Sequence, residues 1–258
     1  MMKQRLLALG LVIASMSVVF AEPPQQQPPA WAEKLFGPPA NLVHDFGTVP
    51  RGALLRHDFV MTNIYAVPIE IADIRVQMGW WGATPDKHQL QPNEKATISM
   101  WVDARRFTGQ KTGVIFVTIG PNNISTVRLT FTAFSRDDIV CRPGEVVFDS
   151  VAPGQTPSAT VDIEYSGQLA WQVSKAVIPK QAPFEATVKE LYRRPGQVGY
   201  QLKLSLKKDA APGQFQENIF LKTNDPNAGL LPVLVRGNIQ APLEAVPDAL
   251  KLKEVESR

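Results

Sequence analysis

The sequence predicts an all-β fold of two tandem antiparallel β-sandwich domains, with about seven strands in each. Three observations lead to this prediction: an internal repeat, apolar side chains at every second position, and turn residues between the apolar runs. Helical periodicity is not sustained outside the two ends of the chain. Short strands with this spacing are typical of two antiparallel sheets packed face to face.

The repeat has a constant offset of 104 residues over most of its length. Near the start of each copy, the Phe-x-x-Val-x-x-Gly pattern of residues 46–52 returns at residues 148–154, so a short insertion or deletion lies between. A period of about a hundred residues is that of a whole domain in tandem. The matched pairs are Gly109 with Gly213, Ile115 with Ile219, Phe116 with Phe220, Leu129 with Val233, and Phe131 with Val235.

Within each copy, apolar residues alternate with polar ones, as in strands that bury one face. Clusters of Pro, Gly, Asn and Asp separate these runs and predict turns. The stripes of the first copy are Leu55, Phe59 and Met61; Ile98, Met100 and Val102; and Val127, Leu129, Phe131 and Ala133. Those of the second copy are Ala159, Val161, Ile163 and Tyr165; Leu202, Leu204 and Leu206; and Leu231, Val233 and Val235.

The ends of the chain complete the expected organisation. Residues 1–21 read as a signal peptide, with Lys3 and Arg5 before an apolar run and small residues before a cleavage site after Ala21. The expected order is signal peptide 1–21, Pro/Gln-rich extended spacer 22–39, sandwich domains 40–138 and 139–240, and charged tail 241–258.

Export to the periplasm, the extracellular space or the cell surface follows from this signal. Its apolar run is short for a bilayer span, which needs roughly 20 residues. We therefore expect no stable membrane span after cleavage. The formal net charge of +3 loses two positive charges with the signal, and no Lys/Arg stripe accumulates, so nucleic acid is not an expected partner.

Two stretches of the first copy resemble the bacterial domain-of-unknown-function 1573 family: VHDFGTVPRG at residues 43–52 and HDFVMTN at 57–63. The second copy is similar in its TNDP at 223–226. The resemblance implies an Ig-like sandwich akin to major sperm protein and Hydin-type domains, in two copies, and implies no common activity. Members often carry a turn with two cysteines where this chain has MGWWGAT at 78–84, so a thiol or metal role is not transferable.

No pattern in the sequence indicates catalysis, a metal site or a cofactor. The three histidines, His44, His57 and His88, are far apart in sequence and lack ligand spacing. The single cysteine, Cys141, has no histidine near it in sequence and is interpreted as a packed structural residue, with intermolecular pairing as the alternative. The acidic pair at 137–138 is interpreted as a solvated linker. We therefore do not expect an enzyme.

Aromatic residues are the candidates for a binding surface. Trp80 and Trp81 are adjacent, so both cannot face one core. Trp101 alternates with Met100 and Val102 and is expected to face outward, where it could contact sugar rings or a protein, or be covered by the second domain. The candidate surface is Trp80, Trp81, Trp101, Arg105, Arg106 and Lys111.

These features together predict an exported, non-catalytic binding or scaffolding module of the cell envelope. It would act through protein–protein contacts with an envelope or extracellular protein, using exposed strand edges and the tryptophan-bearing face. The alternative is a carbohydrate-binding module that uses exposed tryptophans as stacking platforms.

Overall fold

The computed structural model describes residues 30–242, which contain fifteen β-strands and three short 3₁₀ helices. The predicted all-β fold class is confirmed. The expected signal peptide at residues 1–21, residues 22–29 and the tail from residue 243 lie outside the described residues. The 3₁₀ helices are Glu33–Phe36, Pro39–Leu42 and Ala104–Arg106. The strands are β1 (Val43–Arg51), β2 (Leu54–Thr62), β3 (Ile69–Val76), β4 (Trp81–Pro85), β5 (Gln89–Leu90), β6 (Lys95–Asp103), β7 (Gly109–Gly120), β8 (Ser125–Arg142), β9 (Glu145–Val151), β10 (Ser158–Ser166), β11 (Val173–Val177), β12 (Phe184–Arg194), β13 (Gln197–Leu206), β14 (Gly213–Thr223) and β15 (Leu230–Ile239).

Two sheets enclose the core of the first unit. Strands β2, β6 and β4 form a three-stranded antiparallel sheet. The other sheet contains β3, β7 and β8, with β1 running parallel to β8. The alternation predicted from sequence is observed in β6, where Ile98, Met100 and Val102 are fully buried between the sheets.

The second unit repeats this topology, except that β5, which pairs with β3 in the first unit, has no counterpart. Strands β10, β13 and β12 form one sheet, and β11, β14 and β15 form the other, with β9 parallel to β15 as β1 is to β8. Gly109 begins β7 and Gly213 begins β14, and both have a positive φ, of 70° and 131°. Because glycine adopts this backbone region most easily, the turn geometry explains why glycine recurs at this point of the repeat.

Strand β8 belongs to both units. Residues 125–135 pair with β7 of the first unit, whereas Ile139 to Arg142 pair with β10 of the second. One sheet therefore continues from the first unit into the second. The boundary expected between residues 138 and 139 falls inside this strand, so the two units are joined by strand backbone.

The backbones of the two units also touch at two glycines. The Leu54 amide donates to the Gly144 carbonyl oxygen at 3.1 Å. A Cβ atom built on Gly144 would lie 1.8 Å from the carbonyl oxygen of Gly52. Gly52 itself has a φ of 94°. Glycine is required at this contact because any side chain at residue 144 would push the two segments apart.

Residues 30–39 pack onto the first unit, and the expectation of an extended spacer over residues 22–39 is wrong for this part. Ala32, Leu35 and Phe36 are buried in the first core. Ala32 and Leu35 are three residues apart and lie on the same side of the turn that begins the 3₁₀ helix Glu33–Phe36, and Phe36 follows Leu35 at its end. The Tyr65 hydroxyl donates to the Trp31 carbonyl oxygen at 2.8 Å, and the two rings meet edge to face. The Pro- and Gln-rich composition masked this short apolar pattern.

The Gly144 contact gives a test of the junction. We expect Gly144→Ala to lower the free energy of unfolding by about 3 kcal/mol, the upper end for overpacking, because the new methyl group meets backbone that cannot rotate away. Gly79→Ala is the matched control, since a Cβ there meets nothing within 4 Å. Urea denaturation of both variants measures the difference. Equal stability of the two variants would contradict the close approach.

Candidate functional site

The adjacent tryptophans lie in different environments. Trp81 opens β4, is 3% exposed, and packs its ring edge to face against Phe131 in the core, with centroids 5.5 Å apart. Trp80 is half-buried and lies against Phe107, with ring centroids 4.9 Å apart. The assignment of Trp81 to an exposed surface is therefore corrected. Successive strand residues point to opposite sides, and Trp81 is the one that faces the core.

Met78 extends the exposed side of Trp80. Its side chain is 55% exposed, and the indole Nε1 of Trp80 donates to its Sδ atom at 3.3 Å. Thioether groups make favourable contacts with aromatic rings and adapt to irregular partners. We call the surface formed by Met78, Trp80, Arg105 and Arg106 the Trp80 patch.

Asp103 connects the two arginines of the Trp80 patch to Trp80. Its backbone amide donates to the Trp80 carbonyl oxygen at 2.9 Å. Its carboxylate caps the 3₁₀ helix by accepting from the Arg105 amide at 3.0 Å and pairs with Arg105 Nε at 2.8 Å. Arg106 Nε lies 3.9 Å from the same carboxylate. Both arginine side chains remain about 70% exposed, at 70% and 72%, so the guanidinium groups can contact a partner.

These arginines favour the ionised form of the Asp103 carboxyl. The hydrogen bond from Arg105 is the largest cause that lowers the pKa of Asp103, and the charges of Arg105 and Arg106 act in the same direction. Burial of the carboxyl opposes them. The Asp103 carboxylate that holds Arg105 is thus charged at neutral pH.

Trp101 and Lys111 lie on two different strands, β6 and β7. Trp101 stands on the outer face of β6, opposite Arg56 of β2 and Gly82 of β4. A Cβ on Gly82 would lie 2.7 Å from the Trp101 Nε1 atom, so the indole covers this glycine and is half-buried. Lys111 is exposed on β7, opposite Ala133. Within residues 30–242, no hydrogen bond or ion pair joins Trp101 or Lys111 to the Trp80 patch.

The structure brings together two histidines that are separated in sequence. His44 of β1 and His57 of β2 stack with ring centroids 3.6 Å apart and planes inclined by 11°. Phe46 packs edge to face against the His44 ring, and Phe59 packs in the same way against the His57 ring. Burial is the largest cause that lowers the pKa of both histidines, and the charge of His44 lowers the pKa of His57 further, to about 4. Both rings are therefore neutral at pH 7, and the stack is an apolar contact.

The other groups considered for chemistry have structural environments. Cys141 is buried in β8, and burial raises the pKa of its thiol to about 12, so it is neither a nucleophile nor accessible for intermolecular pairing in the folded chain. Among residues 30–242, no three His, Cys, Asp or Glu side chains converge as a metal site would require. None of the helices in that part of the chain has the length and apolar character to cross a bilayer.

Asp138 is part of an ion cluster, so its interpretation as a solvated linker residue is corrected. Arg136 Nε donates to its carboxylate at 2.6 Å, while Arg136 Nη1 donates to Asp225 of the second unit at 2.9 Å. These side chains are largely shielded from solvent, at 15% exposure for Arg136 and 13% for Asp225. No local sequence pattern indicates this cluster, because Asp225 lies 89 residues after Arg136 in the chain.

Comparison with protein families supports the resemblance found in the first copy. Residues 40–134 match the model of a family described as protein of unknown function (DUF1573). No curated protein matches the chain.

Similarity to solved structures is distant. The VesB protease of Vibrio cholerae is 14% identical, with a TM-score of 0.33, over 36% of this chain and 30% of VesB, so this chain spans less than a third of that protein. A protein of unknown function from Porphyromonas gingivalis is 14% identical, with a TM-score of 0.31, over 77% of this chain and 97% of that one. SGBP-B of the Bacteroides ovatus mixed-linkage glucan utilization locus, solved with a mixed-linkage heptasaccharide, is 10% identical, with a TM-score of 0.24. The match covers 76% of this chain and 43% of SGBP-B. No functional argument rests on these likenesses.

The histidine stack predicts a pH-dependent stability. Because the unfolded chain takes up protons near pH 6.5 and the folded His57 only near pH 4, the free energy of unfolding should fall as pH drops through this interval. We expect the free energy of unfolding to fall by about 1–2 kcal/mol. This is less than the pKa difference of His57 alone would give, because the rings are half exposed to solvent. His57→Gln should flatten the dependence measured by urea denaturation, and His88→Gln should leave it unchanged. The same slope in all three proteins would refute the assignment.

Proposed function

We propose that this chain is an exported, non-catalytic binding or scaffolding module of the cell envelope that acts through protein–protein contacts. The proposed domains are residues 40–138 and 139–240, exported by the signal at residues 1–21. The observation that carries the proposal is the Trp80 patch, where an exposed methionine, a half-buried tryptophan and two exposed arginines lie together at one end of the first unit.

The composition of the Trp80 patch favours a protein partner. Tryptophan, arginine and methionine are enriched at protein interfaces, and tryptophan and arginine are the commonest residues of high binding energy. Phe107 supports the ring of Trp80 from beneath, and Asp103 holds Arg105, so the patch is partly ordered before binding. A preordered surface loses less conformational entropy on association.

The alternative, a carbohydrate-binding module on stacking tryptophans, has weaker support. Trp81 is buried, and one side of the half-buried Trp101 ring lies over Gly82. The tilted contact with Phe107 occupies one side of the Trp80 ring. Two half-buried rings offer less stacking area than a row of exposed ones.

Pairing of a partner strand with an exposed edge is also less favoured. The longest edge strand is β12, with eleven residues. Four charged residues, Lys189, Glu190, Arg193 and Arg194, follow one another closely along its second half, where the pairing with β13 is also irregular. Charges and irregular pairing at an edge oppose the addition of another strand. We therefore place the contact at the Trp80 patch.

Substitutions in the Trp80 patch test the proposal. We expect Trp80→Ala and Arg106→Glu to weaken capture of an envelope protein by the purified chain at least tenfold, a loss of about 1.4 kcal/mol, because each removes a central contact or reverses a charge. Affinity is measured by surface-immobilised pull-down with envelope extract and then with the isolated partner.

Trp101→Ala is the matched control, since it removes a tryptophan outside the patch. Capture that survives Trp80→Ala and Arg106→Glu, in variants with unchanged thermal unfolding, would contradict the proposal. Retention on purified wall glycan that disappears in folded Trp101→Ala would favour the carbohydrate-binding alternative instead.

A further inference from the structure

A polar cleft of about 490 Å³ lies between the two units and has no lining residue in common with the Trp80 patch. The first unit contributes the outer face of β2 and β6, and the second contributes β9, β14 and β15. Clefts between domains are a preferred place for ligand sites because side chains converge there from two rigid surfaces. Its main polar side chains are Arg56, Asp58, Ser99, Asp149, Gln214 and Asn238.

Arg56 is the cation of this cleft without a carboxylate of its own. Its Nε atom is buried and has no hydrogen-bond partner, and none of the ion pairs within residues 30–242 includes it. Arg236 on the opposite wall, by contrast, is held by Glu145 through hydrogen bonds of 2.9 and 3.1 Å. A buried guanidinium donor without a partner is unfavourable, and a turn of the Arg56 side chain toward the cleft would let an acceptor oxygen satisfy it.

The chemistry around Arg56 defines the ligand. The planar guanidinium matches a carboxylate with two parallel hydrogen bonds. Asp58 and Asp149 are acceptors and need hydroxyl or amide donors from the ligand, whereas a densely anionic peptide would be repelled by them. Phe215 adds an apolar face on the second wall. A sugar acid supplies one carboxylate, several hydroxyl donors and a weakly apolar ring face.

We propose that the cleft between the units binds an acidic saccharide, with its carboxylate on Arg56 and its hydroxyls on Asp58, Asp149 and the neighbouring amides. This site goes beyond the proposed protein-binding function and does not depend on it, because it shares no residue with the Trp80 patch. The saccharide is held mainly by polar contacts, with no stacked tryptophan.

Titration with matched ligands tests the site. The probes are galacturonic acid, which carries a single carboxylate, its methyl ester, and triglutamate, each followed by calorimetry and by backbone amide NMR of the purified protein. We expect galacturonic acid to bind at least tenfold more tightly than its ester, with shifts confined to β2, β6, β9, β14 and β15. Equal binding of acid and ester, or no binding of either, would overturn the proposal. Tighter binding of triglutamate would assign the cleft to acidic peptides and overturn it as well.

Variants assign the contact to Arg56. Arg56→Gln should weaken the binding of galacturonic acid at least tenfold without lowering the melting temperature, because the Nε atom it removes has no partner in the free protein. Arg75→Gln is the matched control, since Arg75 is an exposed strand arginine outside the cleft. If Arg56→Gln fails to fold, Asn238→Ala and the ester comparison carry the same test. Unchanged affinity in folded Arg56→Gln would contradict the site, and Trp80→Ala should leave saccharide binding intact.

Discussion

Backbone hydrogen bonding along β8 passes from the first unit to the second within one strand, pairing with β7 and then, a few residues further along, with β10. Rotation of one unit against the other would break this ladder or bend the strand. The close approach of Gly144 to Gly52 and the hydrogen bond from Leu54 to Gly144 restrict the same movement. The cleft at Arg56 has a defined shape because these contacts fix its two walls relative to each other.

The ion cluster beside β8 adds specificity to this arrangement. Arg136 lies on the strand itself, pairs with Asp138 two residues later, and reaches Asp225 in a loop of the second unit. A shielded ion pair returns little net stability, because removing charges from water opposes their attraction. The cluster instead favours one orientation of the second unit, because only in that orientation does Arg136 contact both Asp138 and Asp225. The hydrogen bond from the Thr48 hydroxyl to the Asn227 carbonyl acts on the same loop.

The sequence could predict the all-β fold because alternation and turn chemistry are local properties, and the repeat added the strand correspondence. Local patterns could not decide which of Trp80 and Trp81 faces the core, since adjacent residues differ only in register. They also could not find the stack of His44 on His57, because the two residues lie on strands of opposite sheets. No sequence pattern marked Arg56 as a binding residue, since the cleft that it lines is completed by side chains of the second unit.

Gly82 influences where the indole of Trp101 lies, and Trp101 is in turn a neighbour of Arg56. Trp101 stands between Arg56 on β2 and Gly82 on β4, so its indole has two possible neighbours. Because glycine leaves the β4 side empty, the ring lies over Gly82. Arg56 lines the cleft, its Nε atom has no partner, and no cation–π contact within residues 30–242 joins it to the indole. A side chain on residue 82 would meet the indole and displace it from the β4 side, and Arg56 is the other cross-strand neighbour of Trp101.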